Sequence, residues 1–173
     1  AIIKGDLSSS ITHTNQATTI DCSLSSLSEF DFCGIGFNLG EKGRENGIDL
    51  SAYDSITVTL QYSAPITSAK LKVILRNFNE QYSLLEDNVS LKFNTILLNP
   101  NLHQATVSIP LSAFQVEAWW TDMYKVGFEN SQIELSNVSL FELISEDMPV
   151  TGDYQISVQN ATLHGQLISE TEL

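Results

Sequence analysis

The stretch Ser55-Ile-Thr-Val-Thr-Leu-Gln-Tyr-Ser63 alternates without a break: Ile56, Val58, Leu60 and Tyr62 share one side, and Thr57, Thr59 and Gln61 the other. Successive side chains of an extended chain point to opposite faces, so a sustained period of two marks a strand with one buried face and one wet face. The same signal recurs on both sides of it. Residues 69–78 put Leu71, Val73 and Leu75 opposite Lys72, Ile74, Arg76 and Phe78. Residues 90–98 put Leu91, Phe93, Thr95 and Leu97 opposite Lys92, Asn94, Ile96 and Leu98. Shorter alternations run over 17–24, 104–109 and 136–144, and a last long strand over 153–165 carries Ile156, Val158, Ala161 and Leu163.

Gly-, Asn-, Asp- and Glu-rich segments at 40–47, 77–88 and 99–103 read as loops, and Pro65, Pro100, Pro110 and Pro149 fall at or near strand ends. Long helical periodicity is absent; residues 112–124 have room for a short helical turn. About eight strands with no alternating helices predict an all-β fold, an antiparallel β-sandwich, as one domain over 1–173. Its 42% hydrophobic content suits a folded core, and no apolar run reaches the roughly 18–20 residues of a membrane span. The chain opens on Ala1 without a basic segment and apolar run after it, which reads as a mature or trimmed fragment.

Charge narrows the partners. Eight Lys and Arg against 21 Asp and Glu leave a net charge of −13, a field that repels phosphate backbones and anionic lipid headgroups. Nucleic acid and membrane surfaces are therefore not expected partners. Acidity that keeps an exported domain soluble and acidity that attracts a cationic ligand both fit. Cys22 and Cys33 form a C-x10-C pair. His13, His103 and His164 are scattered, so no metal site and no cofactor is expected, and the C-x-x-C of a redox motif is absent. A disulfide between neighbouring strands, or a strand and its loop, implies an oxidising compartment; two buried thiols are the alternative.

Catalytic signatures are not found. Gly34-Ile-Gly36-Phe-Asn-Leu-Gly40 has the wrong spacing for a dinucleotide fingerprint and no helix after it; its glycines predict a bulge or tight turn. No nucleophile elbow, phosphate loop or zinc-protease motif occurs, and no two carboxylates are placed as a glycosidase pair. Binding rather than catalysis is the expectation.

Arg76 and Lys92 are basic residues inside strands of a chain poor in them. Either they pair with acidic neighbours across the sheet or they donate hydrogen bonds to a ligand on its open face. With Asn77, Asn79, Tyr82 and Asn94 nearby, this is the expected polar pocket. Trp119 and Trp120 are the second candidate, because planar rings stack on sugars. Neighbours on a strand diverge, so one ring is expected in the core and the other at the surface. Sequons at Asn88, Asn137 and Asn160 matter only in a eukaryotic source.

The runs Gly47-Ile-Asp-Leu-Ser-Ala-Tyr-Asp-Ser-Ile-Thr-Val-Thr-Leu60, Leu71-Lys-Val-Ile-Leu-Arg-Asn-Phe78 and Thr106-Val-Ser-Ile-Pro-Leu-Ser-Ala-Phe114 resemble the galactose-binding-like jelly rolls, a fold shared by many carbohydrate-binding modules. The chain departs from the sugar-binding relatives in having no evident row of surface aromatics. Cys22, Cys33-Gly-Ile35, Leu75-Arg-Asn-Phe-Asn79, Ser90-Leu-Lys-Phe-Asn94 and Trp119-Trp120 are also similar to the extracytoplasmic sensor domain of certain bacterial membrane-bound diguanylate cyclases. That likeness implies a periplasmic ligand-sensing input module, joined in the full-length protein to a transmembrane helix and a cytoplasmic GGDEF domain. Residues 168–173 would then lie just outside the membrane. The ligand would be a small polar molecule or a protein, bound by Arg76, Asn77, Lys92 and Asn94 on or near the open face. The alternative is a carbohydrate-binding module of a secreted enzyme, with a saccharide ligand.

Overall fold

The computed structural model describes residues 7–27, 31–40, 45–98, 105–146, 148 and 150–165. The predicted loop at 99–103, with Pro100, and also Pro149 and the segment 168–173, expected beside a membrane, lie outside the described residues. Among the described residues ten strands form: β1 (Leu7–His13), β2 (Thr18–Leu24), β3 (Cys33–Asn38), β4 (Tyr53–Ser63), β5 (Lys70–Asn77), β6 (Lys92–Leu98), β7 (Ala105–Pro110), β8 (Gln115–Val116), β9 (Val138–Glu146) and β10 (Gly152–Gly165). One short helix, α1, spans Ala118–Tyr124.

The strands make two antiparallel sheets of five, in the orders β1-β2-β10-β4-β7 and β3-β9-β5-β6-β8. They pack face to face as a jelly-roll β-sandwich. Alternation assigns the core as expected: Ile56, Val58, Leu60 and Tyr62 of β4 meet Leu71, Val73 and Leu75 of β5, with Ile35, Phe141, Leu143, Tyr154 and Ile156 completing it. Each such side chain, once buried, contributes roughly 1.5–3 kcal/mol, which is why one inward face per strand suffices to hold the sheets together. One polar pair inside is matched: the Tyr62 hydroxyl and Ser145 Oγ lie 2.7 Å apart.

Cys22 and Cys33 are joined, with Cα atoms 5.9 Å apart. Because β2 belongs to one sheet and β3 to the other, the bond ties the two layers at one edge. The register of β10 against β4 shifts between Val158 and Asn160, a bulge that sets Val158 opposite Leu60 and Leu163 opposite Ile56 on one side of the sheet despite the odd spacing between them.

The glycine-rich run departs from expectation. Gly34 and Gly36 sit in a regular strand, β3, whose pairing with β9 has no register shift. Close approach accounts for Gly34, where a Cβ would lie 2.5 Å from Ile144 Cγ2; a Cβ on Gly36 would make only an ordinary contact, 3.4 Å from Glu142 Cγ. Only Gly40 serves a turn, at φ +84°.

Candidate functional site

The outward side of the sheet β3-β9-β5-β6-β8 presents Lys72, Ile74 and Arg76 from β5, Glu142 and Ile144 from β9, and Phe93, Thr95 and Leu97 from β6. Two ion pairs lie along it. Lys72 Nζ donates to Glu117 Oε1 at 2.7 Å, and that oxygen also accepts from Thr95 Oγ1 at 3.0 Å. Arg76 Nε donates to Glu142 Oε2. Between the pairs Ile74 is buried, so the floor is apolar and its rim charged. At one end the Arg76 guanidinium lies over the Phe93 ring, and Trp119 meets that ring edge-on, centroids 4.8 Å apart. A groove of about 390 Å³ runs from Lys72 and Thr95 to Ala113, Gln115 and Glu117. The glycines of β3 keep the far side of the face low. Fixed donors and acceptors beside a partly exposed indole are the equipment for a neutral polyhydroxylated ligand, which needs hydrogen bonds at its edges and an apolar plane for its ring.

A second polar group lies at the end of the sandwich and faces inward. Lys92 and Asn94 stand opposite Asn77 and Leu75 in the β5–β6 register, on the core side, and Asn77, Lys92 and Asn94 are all buried. Lys92 Nζ donates to Glu134 Oε2 at 3.0 Å and to the Gln132 carbonyl at 3.2 Å. The Tyr82 hydroxyl donates to the same carboxylate oxygen at 2.7 Å and accepts from Asn77 Nδ2 at 3.1 Å. Asn94 Nδ2 donates to the Leu75 carbonyl and to Asn77 Oδ1, and Asn79 Nδ2 donates to Glu134 Oε1 at 3.1 Å. Burial alone would raise the Glu134 carboxyl. The hydrogen bonds from Tyr82 and Lys92, the lysine's charge and Asn79 together outweigh it and hold the group at about 2. Burial first, and the carboxylate beside it second, push the Tyr82 hydroxyl far up. The network ties the segment around Glu134 to the sheet and caps the core there.

The seven residues singled out from the sequence thus divide. Arg76 and Trp119 lie on the open face. Asn77, Lys92 and Asn94 are turned to the opposite side, buried and hydrogen-bonded to internal partners, with the half-buried Tyr82 among them. The physical reason is the register: it places Arg76 opposite Phe93 and leaves Lys92 and Asn94 on the face of Leu75. Of the two roles open to the basic residues, pairing with acidic neighbours is met by both. Trp120 is fully buried and Trp119 39% exposed, as expected, but through helix α1 rather than a strand. Trp120 packs edge-on against Tyr82, centroids 5.0 Å apart, and its Nε1 finds no hydrogen-bond partner among the described residues.

Phe93, Glu117, Glu134 and Glu142 were not legible as site residues. The one available signal was that Phe93 shares a side with Thr95 and Leu97 on a strand whose other side carries Lys92 and Asn94. Asn137, a sequon residue, is engaged structurally: its Oδ1 accepts from the Gly47 amide at 2.7 Å.

No protein-family model matches the chain, and no curated protein matches it in sequence. Among solved structures, it is similar to a family 11 carbohydrate-binding module from Clostridium thermocellum, solved in complex with a β-1,3-1,4-mixed-linked tetrasaccharide. The TM-score is 0.59 at 14% identity, covering 94% of this chain and 85% of that one. A weaker likeness, with a TM-score of 0.39 at 8% identity and covering 94% and 88%, is to the xyloglucanase domain of NopAA, a type three effector from Sinorhizobium fredii, in complex with cellobiose. The first likeness is one of fold: both chains are jelly-roll β-sandwiches.

Proposed function

We propose that the chain is a saccharide-binding module whose site is the outward face of the β3-β9-β5-β6-β8 sheet. The observation that carries this reading is the juxtaposition of Trp119, Phe93 and Arg76 with the Lys72–Glu117 and Arg76–Glu142 pairs on the open face of a carbohydrate-binding-module fold. The indole stacks on a sugar ring, while the paired charges hold donors and acceptors at fixed positions for hydroxyl groups. The fold neighbour's β-glucan complex supports starting with β-linked glucose oligomers. Module and enzyme are separate matters: the face offers recognition chemistry, and no nucleophile or proton donor is invoked for it.

The sequence likeness to extracytoplasmic sensor domains supports a finer version, in which the module is the input of a membrane-bound signalling protein outside the cytoplasm. The Cys22–Cys33 bond is in keeping with such an oxidising compartment. Saccharide recognition and signal input are compatible, since occupancy of the face would then bias the arrangement of the attached chain.

Titration calorimetry with mixed-linkage β-glucan and cello-oligosaccharides tests the reading. Binding by the wild type, weakened about tenfold or more in Trp119→Ala with an unchanged melting temperature, is expected. Absence of heat with every neutral oligosaccharide in a broad panel, or binding indifferent to Trp119→Ala, refutes it.

A further inference from the structure

Strand β1 lies at the margin of its sheet and, among the described residues, pairs only with β2. A strand edge presents unpaired N–H and C=O groups to any extended chain, and proteins guard such edges with lysines, prolines, bulges, inward charges or short strands. β1 has none of these guards. It runs seven residues, Leu7–His13, without Lys, Arg, Asp, Glu or Pro, and its register with β2 has no break.

It also overhangs the sandwich. The disulfide sets β2 across from β3, and β3 is the margin of the other sheet, so nothing among the described strands stands opposite β1. Leu7 and Ile11 share a side with the buried Leu24 and Ile20, their register partners, yet are 37% and 56% exposed. The pattern Leu7-Ser8-Ser9-Ser10-Ile11 reads the same in both directions: apolar, three serines, apolar. Such a pattern is complementary to itself under a two-fold rotation, as an interface between identical copies requires.

We propose that β1 pairs antiparallel with β1 of a second copy about a two-fold axis through Ser9, merging the two β1-containing sheets into one. In this register Leu7 lies opposite the partner's Ile11, and Ile11 opposite the partner's Leu7, covering the apolar groups the sandwich leaves bare. Ser8 meets the partner's Ser10 on the other face. The sole charge on β2, Asp21, stands three strand spacings from its copy, about 14 Å or more and beyond the roughly 8 Å screening length of physiological salt. The net charge of −13 per chain still opposes association, so added salt strengthens the dimer. The proposed saccharide face is on the other sheet, so pairing and ligand binding are separable.

Sedimentation over a range of protein and NaCl concentrations tests this. The wild type should show a dimer that grows with both, and Ile11→Lys, an edge guard at an exposed site, should remain monomeric with unchanged melting temperature and saccharide binding. Under mild oxidation Ser9→Cys should give a disulfide-linked dimer, because directly opposed residues have Cα atoms about 4.5–5.5 Å apart. Thr12→Cys, far from its copy in this register, should not. A wild type monomeric throughout, an Ile11→Lys dimer as stable as the wild type's, or linkage by Thr12→Cys as readily as by Ser9→Cys overturns the proposal.

Discussion

The guanidinium of Arg76 lies 3.7 Å from the centre of the ring of Phe93, its register partner on the neighbouring strand. A planar cation over an aromatic face gains from the ring's quadrupole, and the Glu142 carboxylate holds it from the side. The side chain is therefore held in place in the free protein, which would lower the entropy lost on binding the proposed saccharide. Arg76→Ala is expected to abolish ligand-induced thermal stabilisation while lowering the stability of the free protein by only about 1–2 kcal/mol. Arg76→Lys should not restore binding, because an ammonium cannot reproduce the flat, forked donor set. An unchanged ligand-induced shift in Arg76→Ala would exclude the residue from the site.

Lys92 should behave in the opposite way. Its side chain is 2% exposed against 24% for Glu134, and removing the cation takes the one charged partner from a carboxylate that Tyr82, Asn79 and Ser136 still hydrogen-bond. Lys92→Met is expected to cost about 1.5–3 kcal/mol in urea denaturation. Oligosaccharide affinity of the fraction that remains folded should not change. A loss below about 1 kcal/mol would mean that the network does not anchor the Glu134 segment.

The Glu134 carboxyl also sets an acid dependence. Its folded-state value of about 2 lies below the ordinary glutamate value of 4.5, so folding is favoured by its ionised form. The stabilisation is complete above the ordinary value and drains away as the pH falls from about 5 towards 2. Melting temperature should decline over that window in the wild type. In Glu134→Gln the decline should be shallower, and the two curves should converge at the acid end. Parallel curves would show that another carboxylate governs the decline.

Reduction of the Cys22–Cys33 bond should lower stability by about 3 kcal/mol, the loop-entropy value for so short a closure. The comparison of urea midpoints with and without reductant, alongside the Cys22→Ser, Cys33→Ser double variant, checks it. Equal midpoints for the oxidised and reduced protein would count against a stabilising bridge.

The sheets were legible where burial is one-sided. β4 and β5 alternate because one face of each meets the core, and the order of apolar residues reports this without any knowledge of partners. β1 escaped notice for the converse reason: every residue of it is exposed, so no alternation is imposed on its sequence. β3 was hidden by Gly34 and Gly36, whose lack of side chains mimics a turn; at Gly34 it also serves packing against β9. On β6 the alternation was read correctly, yet periodicity says which residues share a side and not which side is inner. The usual rule that polar residues face out then failed for Lys92 and Asn94, since their partner Glu134 lies 40 or more residues along the chain and leaves no local trace. Trp119 and Trp120 diverge as a strand would make them, but a short helix does the same.

The covalent tie between the layers has a mechanical corollary. If tension is applied through the two ends of the chain, the load passes from Cys22 directly to Cys33, and the ten residues between them are bypassed. The pulled-out length of the oxidised molecule is therefore shorter by about 30 Å than that of the reduced one. The corner of the two layers at Cys22 and Cys33 stays joined however far the strands around it are pulled away.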